Sequence, residues 1–242
     1  MGETKGYVPT EAERSTIKST LMRETTRGPV DTWLRKRADW MVEQVGIVEM
    51  LNPKVWPDKS HPRRVEVLCL GAGKGHEMEK IHEALPNSHV TGVDPNDHYA
   101  PEVLKRVEQR GNDVIYLHES VRAEDLREIP DGSQDAITLF FVMHHMDKRT
   151  HDAMMREVSR VLKPDGLLFI AEDLVETAEE QKVTEAIDKR LNWEISDGPH
   201  EYRSTEQWKT FFEGYGLEMI REREAKPDKV RHGFFALKRK SS

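Results

Sequence analysis

Val65-Glu66-Val67-Leu68-Cys69-Leu70-Gly71-Ala72-Gly73-Lys74-Gly75-His76-Glu77 passes from an apolar, strand-length run through three alternating glycines into a helix-forming stretch. Glycines here permit backbone conformations that side chains resist, and they let a ligand approach the main chain closely. The next apolar run, 89–93, ends against Asp94. In a doubly wound sheet those two strands are neighbours, so the carboxylate lies beside the glycine turn, where it can accept both hydroxyls of a ribose. The spacing is G-x-G-x-G. A nicotinamide fingerprint, G-x-G-x-x-G, would need its third glycine at His76. A P-loop would need a four-residue spacer and a Ser or Thr after the lysine. The competing readings are a dinucleotide site and a tight βα turn with a capping Asp and no ligand.

Downstream, short apolar runs at 114–117, 135–142 and 167–171 alternate with helical patterns at 99–110 and 147–162. Lys163-Pro164-Asp165-Gly166 reads as the stop of the second of these helices. A helix follows at 177–191, and Ser204 with Gln207 forms a capping box that opens another, closed at Gly216. Runs at 217–221 and 233–238 are too close together for a helical crossover and should pair as an antiparallel hairpin. The fold class is therefore α/β: a doubly wound, mostly parallel seven-stranded sheet with an antiparallel C-terminal hairpin. Upstream, Thr10 and Glu13 open a helix over 10–26, Arg27-Gly28-Pro29 breaks it, and a second helix spans 31–51. The proline-rich stretch 52–62 is a linker. Residues 1–62 are thus expected to form a helical lid or extension, and 63–242 the sheet domain.

The 242 residues carry 37 Lys+Arg against 44 Asp+Glu, a formal charge of -7, which disfavours a partner bound through its phosphate backbone. No apolar run has the length of a membrane helix, and the N-terminus has no signal-peptide core. The single cysteine, Cys69, excludes an internal disulfide and a thiolate zinc site. These features point to a cytoplasmic protein, monomeric or homodimeric, that does not engage membranes.

Beyond this point the sequence resembles the class I S-adenosylmethionine-dependent methyltransferases, within them the small-molecule branch that includes the ubiquinone/menaquinone-biosynthesis enzymes. The resemblance rests on Leu70-Gly-Ala-Gly-Lys-Gly75, Gly92-Val-Asp94-Pro95, Ala123-Glu124-Asp125-Leu126, Pro130-Asp-Gly-Ser-Gln-Asp135, Val142-Met-His144-His145-Met and Arg160-Val-Leu-Lys-Pro-Asp-Gly166. It implies a Rossmann-like fold with S-adenosyl-L-methionine as cofactor. Gly71, Ala72, Gly73 and Gly75 would cradle the methionine part, Asp94 with Pro95 the ribose, and Ala123 and Glu124 the adenine. Phe141 and the residues after it would border the sulfonium and the acceptor. Two positions depart from the pattern: Cys69 stands where the family usually has an acid, and Arg122 where an acid often precedes Ala123.

Methyl transfer needs nucleophile, methyl and sulfur held in line with water excluded; a base is needed only when the acceptor carries a proton. His144, His145 and His200 are the candidate bases, with Met143, His145, Tyr202 and Arg203 as candidate acceptor contacts. The histidines and acids between 144 and 152 follow no zinc spacing, so no metal is expected. Met143, Met146, Met154 and Met155 also suit a core, and Trp40 suits either a lid or a packed helix face. The expected activity is methyl transfer to oxygen, nitrogen or carbon of a small molecule. The alternatives are a non-catalytic S-adenosylmethionine/S-adenosylhomocysteine-binding or partner subunit, and a nicotinamide-dependent oxidoreductase.

Overall fold

The computed structural model describes residues 29–51, 64–95, 100–117, 122–191, 201–227 and 229–240. Helices α1 (Pro29–Val45) and α2 (Ile47–Leu51) lead into β1 (Val65–Leu70), α3 (His76–Ala84), β2 (Ser88–Val93), α4 (Ala100–Val107) and β3 (Val114–Leu117). Then come β4 (Gln134–Phe140), α5 (Lys148–Val161), β5 (Leu162–Leu174), α6 (Ala178–Leu191), α7 (Thr205–Gly214), β6 (Leu217–Ala225) and β7 (Arg231–Arg239). The seven strands form one sheet in the order β3-β2-β1-β4-β5-β7-β6. All neighbours are parallel except β7, which runs antiparallel to both β5 and β6. The expected hairpin is present, with β7 inserted between β5 and β6.

Strand β1 shows why this sequence makes a doubly covered sheet. Val67 and Cys69 point to one apolar layer with Met78, Ile81 and Phe234, while Leu68 and Leu70 point to the other with Ile137, Met154 and Trp208. The period of two places alternate residues on opposite faces, and both faces are apolar because helices cover both. Helix α1 joins the first layer through Ala38, Met41, Val42 and Val45. Trp40 sets its ring edge-on to Phe234 at 5.0 Å, so it packs on β7.

Helix starts follow local chemistry. Asp147 caps α5 by accepting from the Thr150 N–H at 2.8 Å, and the Ser204–Gln207 capping box opens α7. Three expectations are corrected. The helix expected from 31 starts at Pro29, whose fixed φ suits a helix's first turn. Gly46, at φ 71, interrupts the helix placed over 31–51. Strand β5 starts at Leu162 rather than 167, directly after α5, which does end before 163–166; those residues fall in a register shift of β5 against β4 between Gln134 and Ala136. The helix expected at 10–26 and the linker at 52–62 lie outside the described residues. Among those described, no helix is long and apolar enough to cross a membrane.

The strand order reverses between β1 and β4, and the loops leaving their C-terminal ends diverge there. In open α/β sheets this crevice is where ligands bind.

Candidate functional site

On one side of the crevice is the loop from β1 to α3. The Gly71 and Ala72 N–H groups both donate to the Val93 carbonyl, at 2.8 and 3.1 Å, tying the loop to the end of β2. Gly71, Gly73 and Gly75 have φ of 72, 48 and 70, which only glycine adopts without strain. A Cβ at Gly71 would lie 2.3 Å from Val142 Cγ2, whereas one at Gly73 would meet nothing within 4 Å. The Gly73 backbone is therefore open to approach. Its N–H donates to Asp94 Oδ2 at 2.7 Å, and its carbonyl accepts from the Tyr116 hydroxyl at 3.2 Å. Sequence spacing placed Asp94 beside the glycines, and it is there. An open glycine backbone flanked by a buried carboxylate fits a nucleoside bearing an amino-acid tail.

The elements flanking this loop hold two groups that the sequence reading passed over or left as packing. Cys69 is fully buried, and its thiol is pushed up by burial and by the nearby Glu77. Glu77, in the first turn of α3, is itself raised to about 8 by burial and by the charge of Asp94. Further round, Pro95 is exposed, while Ala123 is buried and Glu124 half-buried in a turn closed by the Asp125 N–H donating to the Arg122 carbonyl at 2.9 Å.

On the other side, β4 is followed by Phe141, which among the described residues is the one non-glycine with positive φ, 58. A bulky residue in that region is strained, and such strain persists where the surroundings fix it. Here the Phe141 N–H donates to the Ala171 carbonyl at 2.7 Å, Arg37 of α1 lies 4.4 Å over the ring, and His232 meets its edge at 5.2 Å. The chain then turns sharply through Met143, His144 and His145.

His144 is the centre of a buried polar cluster. Its Nδ1 donates to Glu172 Oε2 at 2.6 Å, while Glu172 Oε1 accepts from the N–H groups of Val142 (3.1 Å) and Met143 (2.7 Å). The other ring nitrogen, Nε2, lies 3.6 Å from Asp188 Oδ1, and His145 Nε2 is 3.7 Å from the same oxygen. Tyr202 stacks on the His144 ring at 5.0 Å. Burial opposes a charge on His144, but Glu172 and Asp188 outweigh it and raise its pKa to about 10. Beside them Asp173 pairs with His232 at 2.6 Å; burial alone would raise the Asp173 carboxyl, and His232 brings it below its ordinary value. The Tyr202 hydroxyl is held protonated, by burial and then by Asp188.

The expected acceptor-side residues thus divide. His144, His145 and Tyr202 come together. Met143 is fully buried in the apolar layer with Met154 and Met155. Arg203 pairs with Glu201 at 2.8 Å and stacks 4.6 Å over Trp208, which directs it to α7 rather than to His144. His200 lies outside the described residues. Asp147 serves as a helix cap, Asp152 pairs with Lys148, and His151 Nε2 donates to the Met143 carbonyl at 2.7 Å. His144, His145 and Asp188 bring ligand-type atoms within 4.8 Å of one another, a grouping that spacing in the sequence does not reveal. A proton on His144 already supplies the positive charge that Glu172 and Asp188 favour.

Comparison with known proteins follows the same lines. Residues 67–166 match the family described as "Methyltransferase domain". The chain is 27% identical to a tRNA (guanine-N(7)-)-methyltransferase of Alcanivorax borkumensis, over 83% of this chain and 85% of that protein. It is 30% identical to the demethylmenaquinone methyltransferase of Thermus thermophilus, over 46% of this chain and 47% of that protein. The fold is similar to that of the 1,6-didemethyltoxoflavin-N1-methyltransferase of Burkholderia thailandensis, solved with S-adenosylhomocysteine (TM-score 0.60, 13% identity, 97% of this chain and 92% of that one). With residues 67–166 matching a methyltransferase domain and methyltransferases among the relatives, the protein is an S-adenosylmethionine-dependent methyltransferase. The nicotinamide and non-catalytic readings give way to this one.

Proposed function

We propose that this methyltransferase acts on a small, neutral or cationic acceptor at a heteroatom that carries a proton, and that His144 takes up that proton. The observation that carries this reading is the His144–Glu172 pair at 2.6 Å, where the end of β4 enters the crevice. With Nδ1 committed to Glu172, Nε2 is the nitrogen left for proton transfer. When bound, the cofactor supplies a methyl carbon on a sulfonium: the acceptor's lone pair forms the new bond as the carbon–sulfur pair returns to sulfur.

The chain's own residues would do the rest. The loop 71–75 holds the methionine part, Asp94 with Pro95 the ribose, and Ala123 and Glu124 the adenine. Phe141 borders the transfer point, with His145 and Tyr202 against the acceptor. Residues 1–62 act as a lid, a role supported by Arg37 of α1 lying over Phe141. The small size and charge of the acceptor are supported by Glu172, Asp173 and Asp188 around the cluster and by the net charge of -7, which repel a polyanion. Similarity to the Thermus enzyme keeps quinone-like acceptors in the class. The single buried thiol suits a reducing, cytoplasmic setting.

The test is transfer of labelled methyl to a panel of phenols, quinols, thiols and amines, with bulk tRNA alongside. Turnover of a small acceptor, lost in His144→Asn while S-adenosylhomocysteine still binds, is the expected result. Because His144 is raised to about 10, the rate should climb roughly tenfold per pH unit from neutrality towards that value. Transfer to tRNA alone would sink the reading.

A further inference from the structure

Two acids in the first turn of α3 have opposite surroundings. Glu79 is paired with Arg35 at 3.0 Å and with Arg106 at 2.8 Å. Glu77, two residues earlier, has its Oε1 shielded from solvent without a hydrogen-bond partner, and the residue is only 9% exposed. Among the described residues no Lys, Arg or His forms an ion pair with it; the charge acting on it is that of Asp94, of the same sign. Burial and that repulsion hold the carboxyl at about 8.

A buried carboxyl with one oxygen unpartnered and a like charge beside it destabilises a fold, and such groups cluster where a ligand completes them. This one sits in the first turn of α3, directly after the loop whose Gly73 backbone is open, and the Asp94 that acts on it is the carboxylate bound to the Gly73 N–H. We propose that Glu77 selects the amino-acid end of the cofactor, its carboxylate accepting hydrogen bonds from the α-ammonium of S-adenosylmethionine. The inference rests on S-adenosylmethionine being the cofactor. That molecule carries two cations, and only one can satisfy an orphaned acceptor. The ammonium has three N–H donors, whereas the sulfonium has none. Glu77 therefore acts on the part of the ligand that S-adenosylmethionine and S-adenosylhomocysteine share. The same contact turns the ligand's own carboxylate away from the Glu77–Asp94 pair.

Calorimetric titration with S-adenosylhomocysteine and with 5′-methylthioadenosine, which lacks the aminocarboxypropyl group, tests this. In Glu77→Gln, an isosteric and neutral change, affinity for S-adenosylhomocysteine should fall at least about tenfold, the scale of a charge-assisted hydrogen bond, while methylthioadenosine binding stays unchanged. Glu77→Asp, which keeps the charge, should lose less, and it carries the same comparison if the Gln variant folds poorly. Equal losses for both nucleosides, or no loss for either, would overturn the inference and leave the cofactor reading standing. Failure of the wild-type protein to bind either nucleoside would remove both together.

Discussion

At the glycine loop the polar groups come almost entirely from residues 71–94, one strand–turn–helix–strand unit. The cluster around His144 draws on the exit of β4, Glu172 and Asp173 in β5, Asp188 in α6 and Tyr202 before α7. The two regions also differ in what they have already satisfied. Glu172 accepts three hydrogen bonds, from the Val142 and Met143 N–H groups and the His144 ring, and so fixes the turn it serves. Glu77 is left unfinished. One end of the crevice is built to keep its shape without a ligand, the other to be completed by one.

The largest effect should come from breaking the finished end. Glu172→Leu leaves His144 without its main counter-charge and orphans the buried Met143 N–H and the part-buried Val142 N–H, so a loss of about 3–5 kcal/mol is expected in denaturant unfolding. The unfinished end should respond in affinity instead. Asp94→Ala removes the carboxylate beside Gly73, and calorimetry should show S-adenosylhomocysteine binding weakened about 100-fold with a smaller change in unfolding. If both variants lose stability alike and keep their affinity, the contrast between the two ends fails.

Titration sharpens the comparison, because each end has a group whose folded pKa lies above its unfolded value. For His144 the values are about 10 and 6.5, so its stabilisation is complete below pH 6.5 and is lost as pH rises through 10. For Glu77 they are about 8 and 4.5; the folded state binds the extra proton, so stability declines as pH rises from 4.5 through 8. Melting curves should lose the lower slope in Glu77→Gln and the upper one in His144→Asn. The smallest effect is expected at Cys69. Burial and Glu77 keep its thiol protonated, so it should resist alkylation in the folded protein, and Cys69→Ala should cost about 1 kcal/mol.

The same division governs how much the sequence disclosed. The bounds of β1 and β3, the place of Asp94 and the C-terminal hairpin were readable because each depends on local periodicity or on a short gap. The helix stop at 163–166 was legible, since α5 ends at Val161; the start of β5 was not, because Leu162 already pairs with Gln134 and 163–166 fall in the register shift before Leu167 meets Ala136. The start of α1 reads two residues late because Asp31 looks like the cap, whereas Pro29 is itself a good first residue. In the site, His144 was visible as a titratable group at a strand end. Its partners Glu172 and Asp188 were not, since nothing local links them to it. Glu77 looked like any acid in a helix's first turn, and only its burial and want of a partner set it apart. The two methionine roles weighed for Met143 are separated by a turn of one residue: Met143 goes into the core and His144 into the polar cluster.

The insertion of β7 between β5 and β6 has a consequence for the order of assembly. Strand β6 is synthesised before β7, yet in the finished sheet it touches only β7. During vectorial synthesis β5 therefore waits with an open edge while β6, with no strand of its own to pair with, hangs beside α7. A chain interrupted after Ala225 would present that edge of β5 as a template for other strands. Closure of the sheet and burial of Phe234 and Phe235 should thus be one late event, and folding intermediates should be most prone to association just before it.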